Sequence, residues 1–462
     1  MRPPAWVPKL PDSGGKVVYR FVPLGWAACL YLAFLTVPSA RADMTIIENQ
    51  ADEPGLPISP QTTPQPVFKT RLIQVGPSRS VKLPSEAAAI ARAGDVIEID
   101  AESYVGDVAV WTADNLTIRG VGGDRAKLLA AGQSAENKAT WVIKGRNAVV
   151  ENVEFAEAVA TNGNGAGIRA EGINLKIVNC YFHDNQEGIL SALNTTTSRI
   201  DIENSEFARD GGNGGYSHEI YISDIAQLIV RGSYFHQGRI GHLIKSRAQR
   251  NLIAANRITD EASGSASYEI DLPNGGLNIV MNNLIEQSAL TQNSTMLENA
   301  LEGAKNPTQK LYVLNNTFVN DLGRGDFIRI RAPATAQIVN NIFVGGGNVL
   351  VGAGTLKNNL LAAGPGGSPH IEQPLFRNGD IVESGTRFAA DAGFLDIGNY
   401  DYRLRRDSPA VGGGADPGWA GPISLAPAVE YVHPLHWRPI AIDGRIDIGA
   451  YQFEAKREVA SH

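Results

Sequence analysis

The heptapeptide "KIVNCYF", residues 176–182, decides the fold. A short Val/Ile run reaches Asn179, and an aromatic residue closes the unit three positions later. The same unit returns as "VVENVEF" (149–155), "DIENSEF" (201–207) and "IVRGSYF" (229–235). It continues as "IAANRI" (253–258), "IVMNNLI" (279–285), "VLNNTF" (313–318), "IVNNIF" (338–343) and "LKNNLL" (356–361). From Phe155 to Leu361 there are 206 residues in eight intervals, about 26 per repeat. Asn stands three residues before the closing apolar residue in seven of the nine units; Gly232 and Ala255 are the exceptions.

A period in the twenties built on short β-branched runs points to a solenoid. A leucine-rich repeat needs a strict Leu framework, which is missing. Alternation with period two (Ile200, Ile202; Ile220, Ile222; Ile328, Ile330) and an Asn at a tight bend fit a parallel β-helix. Asn tolerates left-handed backbone and hydrogen-bonds locally, so stacked bends should place Asn over Asn in a ladder. The open end of such a stack needs a cap. The stretch "LPSEAAAIARAGD" (83–95) reads as a short amphipathic helix that caps the N-terminal end.

Outside the repeats, Lys9, Lys16 and Arg20 precede the apolar run "LGWAACLYLAFLTV" (24–37) and then "PSARAD". That order predicts a secretory signal peptide over 1–42, cleaved after Ala42. The run is too short for a stable membrane span. A lipid anchor on Cys29 is the alternative. Residues 43–70 are Pro-rich and read as a flexible linker. Removing 1–42 leaves 36 basic against 47 acidic residues, a net −11. Such a surface excludes nucleic acid or anionic membrane as a general partner. The mature chain keeps one cysteine, Cys180, read as a small core residue, so no internal disulfide forms.

The repeat resembles the right-handed parallel β-helix of the pectate-lyase-like superfamily. "NYDYRLRRDSPAVGGG" (399–414) and "DGRIDIGAYQFE" (443–454) resemble closing segments of bacterial proteins of that kind. The resemblance implies about eleven coils over 71–362, with 363–462 as irregular C-terminal coils or a cap. It also implies three strands per coil, the third facing a binding cleft. That third strand falls on "HEIYIS" (218–223), "HLIKSR" (242–247), "YEIDLP" (268–273), "TMLENA" (295–300) and "DFIRIR" (326–331). Alternation then buries Ile220, Ile244, Ile270 and Ile328. It sends out one line of Arg169, Leu190, Tyr221, Lys245, Asp271, Glu298, Arg329 and Leu350. Arg247 and Arg331 flank that line on one side, Glu219 and Glu269 on the other. His218 and His242 sit at one rim.

Charge singles out this face. Residues 229–257 hold six basic residues and no acid, within the acidic chain. The expectation is an exported, monomeric, carbohydrate-active protein, secreted or periplasmic, that takes an anionic polysaccharide. Lys245, Arg247, Asp271, Tyr221 and His242 are the catalytic candidates. Arg329, Arg331, Arg239 and His218 are the substrate-binding ones. β-Elimination needs a cation against the uronate carboxylate, a base and an acid. Arg247 should lower the Lys245 pKa toward that of a base. Residues 242–286 also resemble the alginate lyase/chondroitinase B family. Arg247 stands at its Lys position, Asp271 at its Arg position, and His242 where a Ca²⁺-binding acid is expected. The resemblance implies Ca²⁺, here on Glu269, Asp271 and Glu298. Three alternatives stay open: a glycoside hydrolase using Asp271 with Glu269 or Glu298, a non-catalytic polysaccharide-binding or envelope solenoid, and plain surface ion pairing. A metal cluster of His218, His242 and Glu219 is a lesser possibility. His183 and His236 read as structural. A deep groove over Lys245 would favour an enzyme, and a flat ladder would favour binding.

Overall fold

The computed structural model describes residues 70–454, apart from 193, 373–380, 441 and 443. The expected signal segment and nearly all of the linker lie outside the described residues. The described residues are organised around three long parallel sheets. Among the described residues the first runs over thirteen strands, from Leu72–Val75 to Ile381–Ser384. The second has twelve, from Ser103–Val105 to Arg387–Ala389. The third has eleven, from Ala109–Trp111 to Pro369–His370. Each coil visits the three sheets in turn and pairs in parallel with the coils before and after it. This is the expected parallel β-helix. Its stacking continues one coil past 362, to Ala389.

The bends explain why these residues coil. Every one of the nine unit positions has positive φ, including Gly232 (+63°) and Ala255 (+52°). Gly232 is suited twice over, since a Cβ there would also press on Trp437. The buried ladder, however, sits one residue further on. Asn256, Asn283, Asn316 and Asn341 each donate from Nδ2 to Oδ1 of the next coil's Asn at 3.0 Å, ending at Asn359. Each of these four also donates to a first-sheet carbonyl, such as Val280 O at 2.8 Å from Asn316. Ser233, Ser205 and Cys180 hold the same place in earlier coils through their backbone N–H groups. Buried amides satisfied in this way lock the register of the stack. Cys180 is fully buried, as expected of a core residue.

The core is a column of side chains. Phe155, Phe182, Phe207 and Phe235 stack at centroid spacings of 5.0, 4.9 and 4.6 Å. The helix Pro84–Ile90 packs on the first coil with Ala87 and Ala88 buried, as the capping expectation required. Its first turn is tied down by Asp107, which accepts from Ser85 N at 3.0 Å.

The described residues among 391–454 pack on the outside of the coils. They lie along the flank of the solenoid in three small hairpins. Phe394, Tyr402, Leu404 and Ile448 cover the outer face of the second sheet at Leu284, Val319, Ile342 and Leu360. Ala420 and Leu425 cover the first sheet at Ile229, Leu252 and Ile279.

Candidate active site on the third sheet

The third sheet realises the expected register. Tyr221 pairs with Lys245, Lys245 with Asp271, Asp271 with Glu298, and Glu298 with Arg329. Ile220, Ile244, Ile270 and Ile328 are fully buried on the other side. At the far end the expectation slips by one: Val351, not Leu350, pairs with Arg329, and Leu350 is in the core.

The second flanking column differs more. Glu219 and Glu269 do not face out; they are buried with Leu243, Met296 and Phe327. The reason is the corner where the chain enters each third strand. A Cβ at Gly167, the same column position, would meet the ring of Phe182 and the Cβ of Phe155. Strict alternation fails there, and that position looks into the core.

Around Lys245 the groups converge. Lys245 Nζ donates to Asp271 Oδ2 at 2.6 Å and to Glu302 Oε1 at 3.3 Å. Arg247 donates from Nε to the Tyr221 hydroxyl oxygen at 2.9 Å. It also reaches Asn274 Oδ1 at 2.9 Å and Glu302 Oε2 at 2.6 Å. Both cations lie within 6 Å of the Tyr221 ring centre, at 5.9 and 5.7 Å. His242 Nε2 is 3.2 Å from Asp271 Oδ2. His218 accepts from the His242 backbone N–H through Nδ1 at 3.0 Å, and the two rings stack at 4.5 Å. Tyr268 closes the other side of His242 edge-on.

Environment fixes the protonation states. Burial alone would lower the Lys245 pKa, but Asp271 and Glu302 outweigh it, so the ammonium is held above its ordinary range. The expected depression by Arg247 is present and is the weakest influence. Arg247 is likewise raised: burial opposes its charge, but its bonds to Glu302 and Tyr221 win. Burial, with Lys245 and Arg247 nearby, pushes His218 down to about 3. Burial, then His218 and Lys245, pushes His242 well below its usual value. Both imidazoles are neutral at pH 7. Burial and the adjoining Asp271 carboxyl push Glu298 up to about 10, so it is a protonated acid in hydrogen-bonding reach of Asp271.

The remaining candidates scatter. Arg329 pairs with Asp326 through Nε at 2.8 Å, not with Glu298. Arg331 stays at the margin and donates to Leu301 O at 3.1 Å. Arg239 belongs to a different cluster, with Asp184 and Arg209. His183 and His236 pair with Glu154 and Glu206 on the second sheet. Asp271 is taken by Lys245, Glu298 is protonated against it, and Glu269 points into the core. As they stand, these side chains do not make the oxygen-rich shell Ca²⁺ prefers. Among the described residues no three His, Cys, Asp or Glu side chains group as a metal site.

Sequence reasoning missed Glu302 and Asn274. Glu302 comes from the segment after Thr295–Asn299, which folds back over the face. Asn306 anchors it by donating to Ala248 O at 3.0 Å and Gly275 O at 2.8 Å. Neither an open groove nor a flat ladder results: Lys245 is 8% exposed beneath this roof. A cavity of about 340 Å³ lies elsewhere, on the first sheet beside Lys310, Tyr312 and Gln337.

Among solved structures, the pectate lyase Pel9A superposes with a TM-score of 0.56, at 14% identity over 83% of this chain and 97% of that one. The fold is a parallel β-helix like that of this pectate lyase. A PL6 polysaccharide lyase from Pseudopedobacter saltans, Pedsa3628, gives a TM-score of 0.43 at 13% identity, over 75% of this chain and 99% of that one. No protein-family model matches the chain, and no curated protein matches it. At such identities the likeness speaks for the β-helix and not for its chemistry.

Proposed function

We propose that the Tyr221–Lys245–Arg247 face binds an acidic polysaccharide and cleaves it by β-elimination, in a protein exported through residues 1–42. The observation that carries this is a pair of cations, Lys245 and Arg247, held charged side by side over one tyrosine. Two fixed cations match a uronate carboxylate and offset the charge that grows when its α-proton leaves. Lys245 is protonated in the resting site, which suits an acid and not a base. Tyr221 is then the proton-transfer group, oriented by Arg247 Nε. In the reacting form Tyr221 is a phenolate; the C–H proton passes to its oxygen, and the C–H electron pair becomes the new double bond. The glycosidic C–O bond breaks, and its oxygen takes a proton from Lys245. The step consumes neither water nor an oxidant. His242 and Asp271 hold Lys245 in place.

Hydrolysis has less support. Asp271 and Glu298 touch, whereas carboxylates flanking a glycosidic bond stand about 5–9 Å apart. The test is to incubate the protein with galacturonan, alginate and glycosaminoglycans, scoring unsaturated ends and reducing ends separately. Unsaturated ends are expected. Tyr221→Phe should lower turnover by about 10²- to 10⁴-fold with little change in KM. Arg247→Ala should raise KM, as added salt does by screening. Reducing ends without unsaturated ones would overturn the elimination. Intact mass of the exported chain tests cleavage after Ala42.

A further inference from the structure

Among the described residues, Glu302 is the one carboxylate that reaches both site cations from outside their sheet. Oε2 accepts from Arg247 at 2.6 Å and Oε1 from Lys245 at 3.3 Å. Yet its side chain is 47% exposed, while those of Lys245 and Asp271 are 11% and 3% exposed. The segment that carries it has its own anchors on both sides. Leu301 N donates to Glu298 Oε2, Arg331 donates to Leu301 O, and Asn306 is bound to three carbonyls. Next to Glu302, Ala300 and Gly303 take positive φ, at +68° and +105°. The carboxylate therefore sits on a tight bend whose backbone does not depend on the ion pair.

We propose that Glu302 is a built-in occupant of the substrate's carboxylate subsite, displaced when a uronate of the polysaccharide binds to Lys245 and Arg247. This deepens the function proposed above and rests on it. The geometry is that of carboxylate recognition: one oxygen on a guanidinium nitrogen, the other on an ammonium. A substrate carboxylate in the same place would make the same two contacts and leave Glu302 in water. The Glu302 end of these ion pairs is half-exposed and screened by water, which weakens its hold, so such an occupant yields to a polyanion whose neighbouring sugars add contacts. While it stays, it keeps two cations paired that otherwise would stand beneath the roof with less counter-charge. It also sets a threshold against single anions, because one free carboxylate gains nothing over Glu302.

The test uses the full exported chain with galacturonate and mannuronate oligosaccharides as probes, measured by calorimetry at fixed salt. Glu302→Gln and Glu302→Ala should each tighten binding by about three- to tenfold. They should lower KM in the same proportion and leave a neutral oligosaccharide unaffected. Once Arg247→Ala is in place, adding Glu302→Gln should change affinity less, because only the Lys245 contact at 3.3 Å is left for Glu302 to occupy. Equal or weaker binding by both Glu302 variants, with wild-type binding intact, overturns the occupant role and spares the polysaccharide site. Failure of wild type and both variants to bind any acidic oligosaccharide overturns both.

Discussion

Ala255 holds left-handed backbone (φ +52°) where seven of the nine repeats use Asn. For an L-residue with no polar side chain that region costs about 1–2 kcal/mol. The following coil feels the gap too. The Asn282 side chain is buried with both polar atoms unpartnered, whereas Asn179 Nδ2 donates to Asn152 Oδ1 at 2.9 Å. Ala255→Asn should supply the missing partner and stabilise the protein by about 1 kcal/mol, read as a higher denaturant midpoint. A lower midpoint would mean that the ladder does not govern this coil. Glu269 is the second residue out of keeping. It lies between Leu243 and Met296 in a buried column, and neither carboxyl oxygen has a partner. Burial, with Asp260 and Glu286 nearby, raises its pKa well above the usual range. Glu269→Met should therefore stabilise the fold. The unfolded carboxyl ionises above about pH 4 and the folded one does not, so the gain should grow by about 1.4 kcal/mol per pH unit from there. A gain that is flat between pH 4 and 7 would contradict this. The bends were legible because Asn has a backbone reason to recur. The direction of Glu269 was not, because alternation breaks at a corner that only Gly167 and Gly188 mark.

Glu269 belongs to an interior seam where the second sheet turns into the third. Burial raises Asp210 and Asp260 to about 7, and Glu187, Glu219 and Glu286 well above their usual range. Each raised acid contributes stability that is whole below the unfolded pKa, near 4, and is lost as pH rises through the folded value. For Asp210 and Asp260 that window runs from about 4 to about 7. Carboxylates lowered in the fold, such as Asp184 and Glu203, work the other way, because their partners Arg209 and Arg231 outweigh burial. They lose their contribution only as pH falls below about 4. Unfolding free energy should thus peak in the acid range and decline toward pH 8. A maximum at pH 8 or above would show that the seam is ionised or hydrated. The third-sheet column was legible at this scale from Tyr221 to Arg329, since one register, once set by buried Ile residues, places those outward neighbours. Glu302 was not, because it arrives on a segment that folds back across neighbouring coils, and no local pattern encodes that return.

At the scale of the molecule, the flank formed by 391–454 covers two sheets and leaves the third to the site. Its contacts are specific as well as apolar. Asn340 donates to Ala415 O at 2.7 Å and accepts from Ala415 N at 2.9 Å, so the flank reads the bend ladder directly. Arg231 lies 5.2 Å from the Trp437 ring centre, and Arg257 lies 5.5 Å from that of Tyr400. Without the flank, Leu284, Val319, Ile342, Leu360, Ile229 and Ile279 would form an apolar stripe along the solenoid. Each such side chain is worth about 1.5–3 kcal/mol when fully buried, and an exposed stripe invites association. The core inside the coils does not depend on the flank, because the Phe stack and the Asn256–Asn359 ladder are complete without it. A chain ending at residue 390 should therefore keep its β-sheet circular dichroism while binding hydrophobic dyes, associating at micromolar concentration and melting at lower temperature. Sugar binding at the Lys245 face should survive in whatever fraction stays monomeric, since no flank residue touches that face among the contacts described. A truncated chain that is monomeric, dye-silent and as heat-stable as the whole would show that the flank is an accessory to the solenoid and not its outer wall.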